Sequence, residues 1–140
     1  MMNRANYLTF TLLLTLSGCG GGADTPLSLE GIYNVVSCEE GGVPTEKSIL
    51  KSQAMVVDDM FSLYDDNNRR TMKFQIDSSK RPKHLDLEWD GLNQPGIYEI
   101  KGDELKVCYD QDGKNRPKEF SSPAGSNTLL LLLKKEPSEQ

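Results

Sequence analysis

The sequence predicts an all-β domain, a small up-and-down antiparallel β-barrel of about eight strands. Three observations carry that expectation. Short runs of β-branched, aromatic and aliphatic residues recur from Leu29 to Lys135, separated by Gly, Asp and Asn turn signals. Two runs alternate strictly: Met72, Phe74 and Ile76 against Lys73 and Gln75, and Leu85, Leu87 and Trp89 against His84, Asp86 and Glu88. A period of two places one face in a core and the other in water. One segment alone carries helix-start chemistry.

In chain order, the first strand is Gly31-Ile32-Tyr33-Asn34-Val35-Val36-Ser37-Cys38, closed by Gly41-Gly42. The segment from Pro44 to Lys51 has an N-cap-like Thr45 and apolar Ile49 and Leu50. It is expected as one short helix after the first strand, lying across an open end of the barrel. Ala54–Val57 and Met60–Tyr64 flank Asp58-Asp59, which suits a tight hairpin. Asn67-Asn68 turns the chain into Thr71–Ile76, and Leu85–Trp89 follows. Ile97–Ile100 and Leu105–Tyr109 are joined by Lys101-Gly102-Asp103-Glu104. Thr128–Leu133 is the last strand. Its leucines, Leu129 to Leu133, are apolar on both faces, so the strand is expected to be covered outside as well as inside, by the short helix. The rival reading is an exposed apolar patch that docks on something, the membrane included. Gly31-Ile32-Tyr33 returns as Gly96-Ile97-Tyr98, and Arg81-Pro82-Lys83 as Arg116-Pro117-Lys118. The spacings differ, so these are similar local solutions at strand starts and barrel corners, not a repeat of fixed period.

Residues 1–18 read as a signal segment outside the fold. Arg4 is the one charge, followed by the apolar run Tyr7 to Leu16. That core is too short to span a bilayer, which takes about twenty residues. Leu16-Ser17-Gly18-Cys19 looks like a bacterial lipobox, in which the Cys19 thiol receives diacylglycerol and cleavage frees its amine for a further acyl chain. Two or three chains anchor a protein stably where one does so marginally. Residues 19–28 are then a lipidated cysteine and flexible tether, 29–135 the barrel, and 136–140 a polar, disordered tail. Gly at position 20, where Asp would signal inner-membrane retention, points to the outer membrane. The expected address is the cell envelope, with the membrane itself as a partner through the N-terminal lipid.

Composition excludes more than it selects. The chain has 16 basic and 21 acidic residues, a formal charge of −5, which argues against a nucleic-acid partner. Losing Arg4 with the signal segment makes it −6. With Cys19 modified, Cys38 and Cys108 are left as a candidate disulfide in an oxidising compartment, or as two separate buried thiols. His84, the single imidazole, reads as a solvated residue at a strand start rather than a general base. Asp58-Asp59 and Asp65-Asp66 read as turn chemistry rather than a cation site. Asp110-Gln111-Asp112-Gly113 opens like a calcium loop, but Lys114 stands where an oxygen ligand is required. No catalytic motif is present, and no cofactor or metal is expected. Arg81 and Arg116, each held extended before proline, are candidates for an anion clamp at a barrel mouth, or for structural pairing with an Asp or an aromatic such as Tyr98 or Tyr109.

Five strings in order resemble a paralogous group of small exported domains from planctomycete bacteria. Leu29-Glu30-Gly31-Ile32-Tyr33-Asn34-Val35-Val36-Ser37 resembles its opening L-x-G-x-W-x-V-V-S, with Gly42 in place of a following glycine. Pro82 to Leu87, Gly96-Ile97-Tyr98 with Glu104 to Cys108, Arg116 to Phe120, and the leucine strand ending in Lys134 resemble its later strings. The resemblance covers residues 29–135 and implies no activity. The opening is also similar to the G-x-W of lipocalins, where the aromatic packs at the closed end of the barrel under a basic residue of the last strand. Here Tyr33 stands for the tryptophan, and Lys134 or Lys135 for the arginine. The implied fold is a lipocalin-like barrel with room for side chains or one small ligand.

Two functions follow. The first is a lipid-anchored, non-catalytic module binding a small apolar or amphipathic ligand, with Tyr33, Val35, Phe61, Phe74, Leu87, Tyr98 and Tyr109 as candidate lining or core residues. The second is a filled barrel serving a structural or protein-interaction role with a partner in the envelope.

Overall fold

The computed structural model describes residues 24–45, 52–65 and 67–139. The signal segment, Cys19 and residues 46–51 of the expected helix lie outside the described residues. A short 3-10 helix, Pro26–Leu29, leads into β1 (Gly31–Glu40). Then come β2 (Val43–Pro44), β3 (Gln53–Val57), β4 (Met60–Asp65), β5 (Asn68–Asp77), β6 (Lys83–Trp89), β7 (Leu92–Lys101), β8 (Glu104–Asp110) and β9 (Thr128–Lys135). Pro44, expected to open a helix, belongs instead to β2, which folds back antiparallel on the end of β1.

Every pairing is antiparallel, and each of the other strands pairs with its neighbour in sequence. β9 then pairs with β1, from Tyr33 opposite Lys135 to Glu40 opposite Leu129, and closes an eight-stranded barrel with β2 as an extra strand. Closure removes the open edges that a sheet otherwise exposes to aggregation. A bulge between Val35 and Ser37 resets the side-chain alternation of β1. Because of it Tyr33, Val35 and Cys38 all point inward.

The alternation decides the rest of the interior. Phe61 faces Met72 across β4 and β5, Phe74 faces Leu87 across β5 and β6, and Leu133 meets Leu105 and Val35. These side chains form one buried cluster with Leu29, Val56, Leu85, Tyr98, Val107, Leu129 and Leu131. Gly96 lies opposite Tyr109. A Cβ there would sit 2.7 Å from the Cys108 carbonyl oxygen and 2.8 Å from the Leu85 carbonyl oxygen, so only glycine lets β6, β7 and β8 approach this closely.

The leucines of β9 split between two faces, with Leu129, Leu131 and Leu133 inside. The outer face is partly covered by the long β8–β9 connection. Cys108 and Ile97, cross-strand neighbours on that face, are fully buried. The Cys108 thiol donates to the Ser121 carbonyl at 3.4 Å, and Lys106 lies over the Phe120 ring. Ser122 ties the same connection to Gly42 and to Thr128.

Candidate functional site

The two ends of the barrel differ in kind. One is sealed. There the Tyr33 hydroxyl donates to the Leu29 carbonyl at 2.7 Å, and the Tyr98 hydroxyl donates to the Asp24 carboxylate at 3.0 Å. The tyrosines of the two recurring Gly-Ile-Tyr strings thus hold the same incoming segment over the barrel floor. Lys83 adds an ion pair to Asp24 at 2.5 Å. Lys83 and Tyr98 together hold the Asp24 carboxyl below its ordinary value, against the opposing effect of desolvation. Burial drives the Tyr98 phenol well above its usual range, and the Asp24 carboxylate adds to this. The Lys135 ammonium lies 5.9 Å from the centre of the Tyr33 ring, and a Cβ on Gly31 would strike the Lys135 side chain. So Lys135, not Lys134, spans the first-strand aromatic; Lys134 turns outward to Asp103.

Among the described residues the opposite end is open. A cavity of about 580 Å³ lies there, with Val35, Cys38, Leu63, Leu129 and Leu131 as its apolar lining. Interleaved with these are Tyr109, paired with Leu129 across β8 and β9, Arg70, paired with Leu63 across β4 and β5, and Trp89; Glu40, Ser52 and Gln111 also line it. The volume is in the range of ordinary small-molecule sites. The strands explain the mixture. Met72, Phe74 and Ile76 face inward on β5, and the same alternation carried two residues back brings Arg70 inward at the rim. Leu85 and Leu87 face inward on β6, and the same step forward brings Trp89 to that rim. The Arg70 guanidinium stacks over the Trp89 ring at 4.4 Å.

Tyr109 is the deepest polar group of this lining. It is 0% exposed, and its hydroxyl has no hydrogen-bond partner among the described residues. Burial pushes its phenol far above the ordinary value; Arg70 stands near enough to oppose that shift, but the pair lacks hydrogen-bond geometry. The Thr45 and Ser52 hydroxyls, lining the same cavity, are also buried without a partner among the described residues. Buried polar groups are nearly always satisfied, so three such atoms at one cavity mark a place suited to a polar guest. Among the described residues Arg70 is in no ion pair. Glu40 accepts a hydrogen bond from Gln111 at 2.9 Å.

The structure divides the candidate lining residues. Val35 and Tyr109 line the cavity; Tyr33, Phe61, Phe74, Leu87 and Tyr98 pack in the core beneath it or at the sealed end. Neither arginine of the Arg-Pro-Lys strings reaches the mouth. Arg116 pairs with Asp86 at 2.5 Å and donates to the Gly96 carbonyl at 2.7 Å on the outer wall. Arg81 donates to the carbonyls of Ser78 and Lys80. His84 also lies on the outer wall, between Asp77 and Ile97. Cys38 and Cys108 are free, which corrects the disulfide alternative. The reason is parity: Cys38 faces into the barrel opposite Leu131, while Cys108 faces outward under the β8–β9 connection. Burial raises both thiols, Cys108 up to about 11. Among the described residues no group of three or more metal-ligating side chains occurs.

No family model, curated protein or solved structure matches the chain.

Proposed function

We propose that the chain is a lipid-anchored lipoprotein of the cell envelope, carried on the outer membrane by Cys19, whose barrel binds one small amphipathic ligand in its open end. The reading makes it a binding module, not an enzyme. One observation carries the binding half: a cavity of about 580 Å³ that pairs an apolar lining with a buried, unpartnered phenol. A barrel filled along its whole length would place packed side chains there. The anchoring half is supported by Arg4, the short apolar core and Ser17-Gly18-Cys19 in the sequence.

Native mass spectrometry of the chain extracted from its own envelope tests both halves. The expected species begins at Cys19, carries the mass of diacylglycerol and a further acyl group, and retains a small molecule of defined mass. A chain with an unmodified Cys19 overturns the anchoring. A bare chain that also takes up no added amphiphile overturns the binding.

A further inference from the structure

The unusual feature of the mouth is an inward-facing cation without a counter-charge among the described residues. A guanidinium presents five N–H donors in one plane, and stacking on an aromatic face leaves its edge free for an acceptor. Arg70 is in this state: its plane is over Trp89, and no described carboxylate pairs with it. Among the described residues the one acidic side chain lining the cavity, Glu40, is bonded to Gln111 instead. Near Arg70 lies the Tyr109 hydroxyl, a second donor with no acceptor among the described residues. Two such donors near each other, in a cavity whose remaining lining is largely aliphatic, describe the complement of a particular molecule.

We propose that the cavity selects amphiphiles whose polar end is a single anionic group, a carboxylate or a phosphate, held by the Arg70 guanidinium and the Tyr109 hydroxyl, with the hydrocarbon laid on Val35, Leu63, Leu129 and Leu131. A charged acceptor suits this pair better than a neutral one, because hydrogen bonds to an ion are the stronger kind and the site is partly withdrawn from water. A cationic head group would meet Arg70 head-on.

The inference rests on the ligand-binding reading, and one titration separates the two. The full chain, anchored in zwitterionic phosphatidylcholine nanodiscs, is titrated with octanoate, octyl phosphate, octanol and octylammonium, against empty nanodiscs. The readouts are binding heat and the emission of Trp89, the single tryptophan of the chain. One of the two anions should saturate first and change Trp89 emission, with octylammonium at least about tenfold weaker. Arg70→Gln should lower the affinity for that anion by about tenfold to a hundredfold, the cost of one charge-assisted hydrogen bond, and leave octanol binding in place. Arg70→Lys should recover part of the preference. An unchanged melting curve in both variants ties the loss to the charge and not to unfolding. Equal affinity for octanoate and octylammonium, or an anion preference that survives Arg70→Gln, overturns the head-group assignment and leaves ligand binding standing. No saturable response to any of the four probes overturns both.

Discussion

Removing the hydroxyl of Tyr109 should stabilise the protein, while removing that of Tyr33 should destabilise it. Both phenols are buried, and Tyr→Phe deletes the same atom from each. Their surroundings differ. The Tyr33 hydroxyl donates to the Leu29 carbonyl at 2.7 Å, so Tyr33→Phe loses that bond and strands a buried acceptor. A net hydrogen bond is worth about 1 kcal/mol, and an orphaned partner adds to that, giving a destabilisation of about 1–2 kcal/mol. The Tyr109 hydroxyl has been taken out of water with no bond in return among the described residues. Such a group costs about 1–3 kcal/mol, and relieving part of it should return about 1 kcal/mol in Tyr109→Phe. For a domain of this size 1 kcal/mol moves the melting temperature by about 4 °C. Thermal melts followed by circular dichroism, with urea titrations at constant slope, should therefore show Tyr109→Phe above the wild type and Tyr33→Phe below it. If Tyr109→Phe melts as low as Tyr33→Phe, the phenol has a partner and the mouth is not waiting for one. The same variant should bind the anionic probe more weakly, so stability and binding would move in opposite directions.

Three further outcomes are expected. Gly96→Ala should cost about 1–3 kcal/mol in urea unfolding, because the added methyl meets two backbone carbonyls that cannot swing away. Asp24 is held below its ordinary value of 3.8 chiefly by its hydrogen bond to Lys83, so its contribution to stability is complete above about pH 4 and lost as the pH falls through the lower folded value. Unfolding free energies from pH 6 to 2 should fall more steeply for the wild type than for Asp24→Asn, and parallel curves would contradict that role. Alkylation in denaturant without reductant, followed by peptide mapping, should find Cys38 and Cys108 on separate modified peptides; a linked pair would mean that the faces of β1 and β8 are misassigned.

The barrel was legible because its information is local. Runs such as Met72-Lys73-Phe74-Gln75-Ile76 state their own inward face, and Asp58-Asp59 and Lys101 to Glu104 state their own hairpins. Eight such strands in series leave few ways to close. The cover over Cys108 was not legible, because the β8–β9 connection has no period, and its contacts depend on where closure brings β1 and β6. The site was half legible. Tyr109 and Val35 stand on recognisable strands, but the arginines singled out before proline turned out to be committed to carbonyls and to Asp86 on the outer wall. Arg70 was missed because alternation was read only where it was apolar. Counting back two residues from Met72 would have placed it inside. The Cys38–Cys108 alternative failed on parity, which the bulge after Val35 alters for β1 and which no residue count predicts.

The grip on Asp24 also fixes a direction. Covalent geometry allows the five residue steps from Cys19 to Asp24 to reach at most about 18 Å. If Cys19 carries the proposed lipid, the sealed floor of the barrel would stay close to the bilayer that holds the acyl chains. β1 is ten residues long and strands in such barrels tilt by about 40°, so the rim stands about 25 Å further out. The protein then resembles a cup standing on its base. Its contents would arrive from the water or from an opposing surface, never straight from the membrane underneath, and the Arg70–Trp89 stack would be the first part of it that an arriving molecule meets.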